Sequence, residues 1–300
     1  MNLLLLLIMS ALWSPSFLLI KVAWLGGVPP VTLAFGRIGL AAAALLAVVR
    51  ARGVAWPRDG RRWGVYAILG AVGTAMPQLC YAWGEQFADS GTAAIINSTM
   101  PIFTIVIAHF FAGDEPLTGR RAAGVGLGFA GILTIFLPEA LEGLSGNLHL
   151  MGMSVMLLAP VGYAITTVLA RRALRGERPL LTAAAQILSG ALLLALPAAI
   201  LERPWTVRPT PGAMAAVAFL GVFGMALPMI LYYRLLNRAS ATFASLTTYI
   251  MPPAGVALGV VFLGERPGWN ALVGCVLILL GVVVVHRAGG EPDAPKSSAA

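Results

Sequence analysis

The sequence predicts an all-α membrane protein: ten transmembrane helices arranged as two inverted five-helix repeats, with N and C termini cytoplasmic. Three observations predict it. First, 59% of the 300 residues are hydrophobic and 11% are charged, with a mean hydropathy of +0.87. An average soluble domain carries about 25% charged residues. A water-soluble globule of this size would lack the polar surface to cover itself, so a soluble enzyme, a disordered chain and a secreted disulfide scaffold are excluded. Second, the apolar runs are continuous rather than alternating in ~10-residue strands, which excludes an outer-membrane barrel. Third, the two halves of the chain match one another.

A hydrocarbon core about 30 Å thick takes ~20 apolar residues per helical span. Spans read in order at 3–25, 31–50, 64–84, 91–112, 120–138, 151–171, 181–201, 212–235, 240–263 and 269–287. Backbone groups in lipid must be satisfied internally, so each span is a helix. The first run, Met1 to Leu25, has no basic leader and no small-residue cleavage motif. It is also too long for a signal-peptide core, so it is expected to remain as a helix. Val28-Pro29-Pro30, Arg58-Asp59-Gly60, Pro204 and Pro209-Thr210-Pro211 mark loops between spans. The tail at 288–300 is small and polar and is expected to be disordered in the cytoplasm. Cys80 and Cys275 lie inside apolar runs without metal or redox spacing, and read as small core residues.

Orientation follows from the basic residues in the short loops. With the N-terminus inside, the cytoplasmic loops and tail hold 15 Lys and Arg, and the outer loops hold three, Arg203, Arg208 and Arg266. Lys21 and Arg37 remain within spans. The net charge of +8 is thus an orientation signal and not a nucleic-acid surface.

Shifting the chain by 151 residues brings the halves into register. Leu69-Gly70 meets Leu220-Gly221, and Gly73 meets Gly224. Pro77 meets Pro228, Tyr81 meets Tyr232, and Met100-Pro101 meets Met251-Pro252. With one residue of slippage, Gly124 and Gly131 meet Gly274 and Gly281. Each half holds five spans, an odd number, so the second repeat (139–287) enters the membrane upside down relative to the first (1–138). The charges agree: the loop at Asp114-Glu115 falls inside and its counterpart at Glu265 outside. Inverted repeats with interrupted helices are the architecture of secondary transporters, with a site near the midplane.

These residues resemble a known family. Leu12-Trp13-Ser14-Pro15-Ser16-Phe17 with Lys21, and Phe35-Gly36-Arg37-Ile38-Gly39-Leu40-Ala41-Ala42, carry the likeness in the first two spans. Each half also has a small-residue helix, a proline and then a charged Gly turn: Ala93 to Pro101 with Gly113-Asp114-Glu115, and Ala244 to Pro252 with Gly264-Glu265-Arg266. Over about residues 3–287 the halves are similar to two EamA-type domains of the drug/metabolite transporter superfamily. The first copy departs, with Asp114-Glu115-Pro116 where Glu-Arg is usual. The resemblance implies an inner-membrane transporter exporting amino acids, related organic compounds or drugs, without a cofactor.

Proline inside a helix removes a hydrogen bond and clashes with the carbonyl four residues back. The paired positions Pro77 with Pro228 and Pro101 with Pro252 read as kinks that shape a cavity or act as hinges. The competing reading is that proline is simply commoner in membrane helices. An intramembrane charge is a functional-site hypothesis by default. Arg37 lies ~9 Å below the outer face at 1.5 Å per residue. If Arg37 and Lys21 bind ligand, it carries an anionic group. The alternatives are snorkelling for Lys21 and, for Arg37, hydrogen bonds to kinked-helix carbonyls or to Glu85.

The remaining binding candidates are Trp13, Gln78, Tyr81, Trp83, Asn97, Tyr163, Gln186, Tyr232, Thr248 and Tyr249. Ser98, His109 and Tyr233 are weaker candidates. Each also fits a helix–helix hydrogen bond or packing. Tyr81 and Tyr232 stand out because they match in the repeat and follow the kink by one turn. No HExxH, nucleophile elbow, P-loop or carboxylate pair occurs, so no catalytic residue, metal site or cofactor is expected. The expected partners are a small-molecule substrate and the lipid bilayer, with no nucleic acid and the oligomeric state open. Two other readings remain: an importer or facilitator of small organic anions, and a membrane-embedded lipid-handling enzyme or flippase.

Overall fold

The computed structural model describes residues 2–111, 118–141, 147–238, 241–245, 247 and 251–287. Among these residues the chain is helical, with no β-strand. Eight helical rods are long and apolar enough to cross a membrane: Leu4–Leu25, Pro30–Ala51, Gly60–Gly84, Ser90–Phe111, Gly119–Pro138, Leu148–Ala173, Pro179–Glu202 and Pro211–Leu236. Two shorter apolar helices follow, Met251–Leu263 and Trp269–Val285. The eight rods lie within a few residues of the first eight expected spans, whereas the ninth expected span, 240–263, is a shorter helix that begins at Met251. The loop at Gly113-Asp114-Glu115, with Thr248, Tyr249 and the tail at 288–300, lies outside the described residues.

Turn and cap chemistry sets the ends. Helix α3 (Pro30–Ala51) starts on a proline, whose missing N–H costs nothing at the first helical position. Asp59 caps α4 (Gly60–Gly70) by accepting from the Arg61 amide at 2.9 Å. Gly264, at φ +67°, ends the ninth rod in the left-handed region that favours glycine.

Several rods are broken inside the membrane where the sequence places proline. The first splits into α1 (Asn2–Trp13) and α2 (Ser16–Leu25) around Ser14-Pro15. The third is α4, a π turn at Ala71–Ala75, and then α5 (Met76–Gly84), which carries Pro77. The fourth splits at Ser98-Thr99 into α6 (Ser90–Asn97) and α7 (Met100–Phe111), which carries Pro101. Helices α8 (Gly119–Leu141), α9 (Leu148–Ala173) and α10 (Pro179–Pro197) follow. The eighth rod is α11 (Pro211–Gly221), a π turn at Val222–Ala226, and then α12 (Leu227–Leu236) with Pro228. The π turns at 71–75 and 222–226 fall at the repeat offset read from the sequence. In each, a residue next to the proline reaches back five residues, Met76 to the Ala71 carbonyl and Leu227 to the Val222 carbonyl. Helices α13 (Ala241–Ser245), α14 (Met251–Leu258, with Pro252) and α15 (Trp269–Arg287) complete the chain.

The same helix contact is built twice. A Cβ on Gly70 of α4 would lie 2.9 Å from the Gln186 carbonyl oxygen and 2.7 Å from the Gly190 nitrogen of α10. A Cβ on Gly221 of α11 would lie 3.0 Å from the Arg37 carbonyl oxygen and 3.5 Å from the Ala41 nitrogen of α3. Helices α8 and α15 touch reciprocally and run antiparallel. A Cβ on Gly124 would meet the Gly281 oxygen at 2.6 Å, and one on Gly131 the Gly274 oxygen at 2.7 Å. In lipid there is no hydrophobic drive between helices, so small residues that let backbones approach are what hold such pairs. Accordingly the interior is alanine-rich, with Ala34, Ala41, Ala93, Ala94, Ala183 and Ala184 buried. Large apolar side chains such as Leu133, Leu192, Leu196 and Val261 point outward.

Candidate functional site

A cavity of about 100 Å³ lies inside the bundle. Helices α8 and α15 give it no described lining residue; they pack on each other. Its polar wall is assembled from pairs that cross between helices. Tyr81 Oη donates to Asn97 Oδ1 at 2.8 Å, and Gln78 Nε2 donates to Tyr163 Oη at 2.8 Å. Thr167 Oγ1 and Tyr232 Oη share a hydrogen bond of 2.5 Å. The Tyr233 hydroxyl donates to Gln186 Oε1. Rings close the remaining sides: Phe17 meets Tyr81 edge-on at 5.1 Å, and Trp13 meets Tyr232 at 6.0 Å.

Proline chemistry positions one of these groups directly. Pro77 has no N–H for the carbonyl of Gly73, four residues back. That oxygen accepts instead from Gln186 Nε2 at 3.3 Å, and the same nitrogen donates to Thr74 Oγ1 at 2.9 Å. Gln186 therefore ties the third rod's π turn to Tyr233 of α12.

Arg37 stands where Gln186 stands. Each is the seventh residue after the proline that starts its helix, Pro30 or Pro179. The carbonyl of each packs close against an equivalent glycine, Gly221 or Gly70. Their side chains differ in what they find. Arg37 lines the cavity and is 3% exposed, and its Nε has no hydrogen-bond partner among the described residues. It does not snorkel to a surface. It is the one charged residue among the described lining. The Ser16 hydroxyl, also on the wall, is likewise unpartnered there.

Of the residues singled out from the sequence, Trp13, Arg37, Gln78 and Tyr81 line the cavity, as do Asn97, Tyr163, Gln186 and Tyr232. Two do not. Lys21 donates to the carbonyl oxygens of Glu85 at 2.5 Å and Ala88 at 2.9 Å, past the end of α5. A cation is favoured there by the negative end of the helix dipole. The Trp83 ring packs on Phe87 at 4.9 Å. Thr248 and Tyr249 fall outside the described residues. Sequence reasoning missed Thr166, Thr167 and the methionines Met100, Met225, Met229 and Met251 on the wall. The Met100/Met251 match in the repeat was the available signal.

At the connection between α5 and α6 is a charged cluster. Glu265 accepts from the Ser90 amide at 2.8 Å, the Ser90 hydroxyl at 3.0 Å and the Gly91 amide at 3.1 Å. It thereby satisfies the first amides of α6. Glu85 follows the last residue of α5 and is fully buried, and neither carboxylate oxygen has a hydrogen-bond partner among the described residues. Burial holds its carboxyl well above the usual carboxylate range; Lys21 opposes this, Glu265 adds to it and Arg37 opposes it. Asp89 is pushed up in the same way, by burial first and Glu265 second.

A bundle of interrupted apolar helices around a polar and aromatic cavity defines a multi-pass membrane transporter for small solutes. The comparison with known families agrees. The chain belongs to the EamA-like transporter family, whose model matches residues 1–137 and again 150–287. A "probable terminal-alkyne amino-acid exporter" of Streptantibioticus cattleyicolor is 26% identical over 92% of this chain and 90% of its own length. An "uncharacterized transporter" of Archaeoglobus fulgidus is 27% identical over 93% of this chain and 95% of its own. A chain in a solved crystal structure superposes with a TM-score of 0.72 at 22% identity, covering 97% of this chain and 99% of that one, and so shares the fold.

Proposed function

We propose that the protein is a secondary transporter of the inner membrane that exports amino acids or related carboxylate-bearing metabolites by alternating access. In this reading it has ten spans in two inverted five-helix repeats, both termini are cytoplasmic, and the cavity is the solute site. The reciprocal glycine contacts and the paired π turns support the repeat. The observation that carries the substrate class is Arg37. A buried guanidinium costs about 2.5–3.5 kcal/mol at the centre of a membrane helix on insertion scales. A ligand carboxylate would repay that cost through a two-pronged contact. The aromatic and methionine wall suits an apolar side chain. Export follows the named amino-acid exporter among the relatives. The same cation also favours a second reading, an importer or facilitator of small organic anions.

Release from proteoliposomes tests the substrate class. Vesicles are loaded with amino acids, small organic acids and the decarboxylated amines of the same amino acids. Carboxylate-bearing solutes should leave faster than from protein-free vesicles, and the amines should not. Arg37→Gln should remove the difference and Arg37→Lys should restore part of it, because an ammonium lacks the planar fork. Equal release by the wild type and Arg37→Gln would refute the assignment.

A further inference from the structure

Two buried opposite charges carry atoms without a hydrogen-bond partner among the described residues: Nε of Arg37, on the cavity wall, and both carboxylate oxygens of Glu85, just past the end of α5. The other charges of the cluster are already committed. Lys21 is held by two carbonyl oxygens, and Glu265 by three donors at the start of α6. Glu85 lies one turn beyond Tyr81, which lines the cavity. The charged and titratable groups that act on Glu85 are Lys21 from α2, Glu265 from the loop before α15 and Arg37 from α3; Tyr163 of α9 acts on Arg37, and His149 of α9 acts on Asp89. Lys21 acts on Glu85 more strongly than Arg37 does, and of the two only Arg37 lines the cavity.

From this arrangement we infer that Glu85 is a proton-binding site linked to ligand binding at Arg37. An anion on Arg37 places a second negative charge beside Glu85 and cancels a cation that favours its ionised form. Glu85 then holds its proton more tightly. By thermodynamic reciprocity, a protonated Glu85 leaves Arg37 free and strengthens anion binding by the same factor. The step is balanced without a further reactant: water supplies the proton, and the carboxylate becomes a carboxylic acid. Ligand and proton then cross together, and in export the ligand's own gradient drives both. The inference rests on Arg37 as the ligand anchor.

Benzoate is a suitable probe because it joins a carboxylate to an apolar ring; benzyl alcohol is its neutral control. The purified full chain in lipid nanodiscs is titrated with base, and the carboxylic-acid C=O band of Glu85 is followed by infrared difference spectroscopy, assigned by its loss in Glu85→Gln. Benzoate should move the disappearance of that band to higher pH, and benzyl alcohol should not. Between the two titration points benzoate affinity should fall by about tenfold per pH unit in the wild type, since one proton is linked. It should stay flat in Glu85→Gln. Benzoate binding that needs Arg37 but shows the same pH dependence in Glu85→Gln overturns the inference alone. Benzoate binding unaffected by Arg37→Gln, or no binding, overturns the anchor and the inference with it. A band that ignores benzoate makes Glu85 a fixed, protonated packing group and overturns the linkage.

Discussion

Arg37 and Gln186 occupy one helix position in two copies, and what separates them is the oxygen each side chain can reach. Gln186 meets the Gly73 carbonyl freed by Pro77, the Thr74 hydroxyl and the Tyr233 hydroxyl. It is a tether, and its substitution should show in stability before it shows in recognition. Gln186→Leu would leave three buried polar groups without this partner, at about 1–3 kcal/mol for each group left unsatisfied. The apparent melting temperature in detergent should drop, and Tyr233→Phe on the Gln186→Leu background should recover part of the loss. No change in melting would show the tether to be idle. Polar residues inside apolar runs were legible in the sequence, and eight of the twelve binding candidates line the cavity. Lys21 was not legible as a staple, because the carbonyls that hold it belong to residues 64 and 67 positions away. The wall methionines were not legible singly, because an unbranched apolar side chain fills any membrane packing gap equally well.

At the scale of elements, glycines decide which helices pair. The α8–α15 contact has no room for a side chain at Gly124, Gly131, Gly274 or Gly281, whereas a Cβ on the nearby Gly126 would meet nothing within 4 Å. Gly274→Ala would put its Cβ 2.8 Å from the Gly131 oxygen, a backbone atom that cannot swing away. Overpacking of this kind costs about 1–3 kcal/mol, so thermal stability should fall. Gly126→Ala should leave stability unchanged or slightly raised, since alanine is the better helix former. Equal effects of the two would mean that close backbone approach is not what holds the pair. The glycine and proline spacing made these elements legible. The π turns themselves were not, because proline predicts only that a carbonyl is freed, while neighbouring helices decide how it is absorbed.

For the whole molecule, length and hydropathy gave the first eight spans to within a few residues, because a bilayer fixes how long an apolar helix must be. The ninth rod was harder to place, with α13 and α14 on either side of Thr247 and residues 246 and 248–250 outside the described set. In the proposed mechanism two inverted halves exchange access to one cavity, with matched kinks at Pro77 and Pro228. Replacing either proline with alanine removes the same device from opposite halves, so the two lesions should bias access in opposite directions. Ser16 is on the cavity wall with a hydroxyl unpartnered among the described residues, and Ser16→Cys, with Cys80 and Cys275 replaced by alanine, gives a single reporter. Its labelling by a membrane-impermeant thiol reagent is measured from each side of the membrane in Pro77→Ala and Pro228→Ala. Labelling from one side should rise in one variant, and labelling from the other side in its partner. Identical patterns in the two variants would contradict the mechanism.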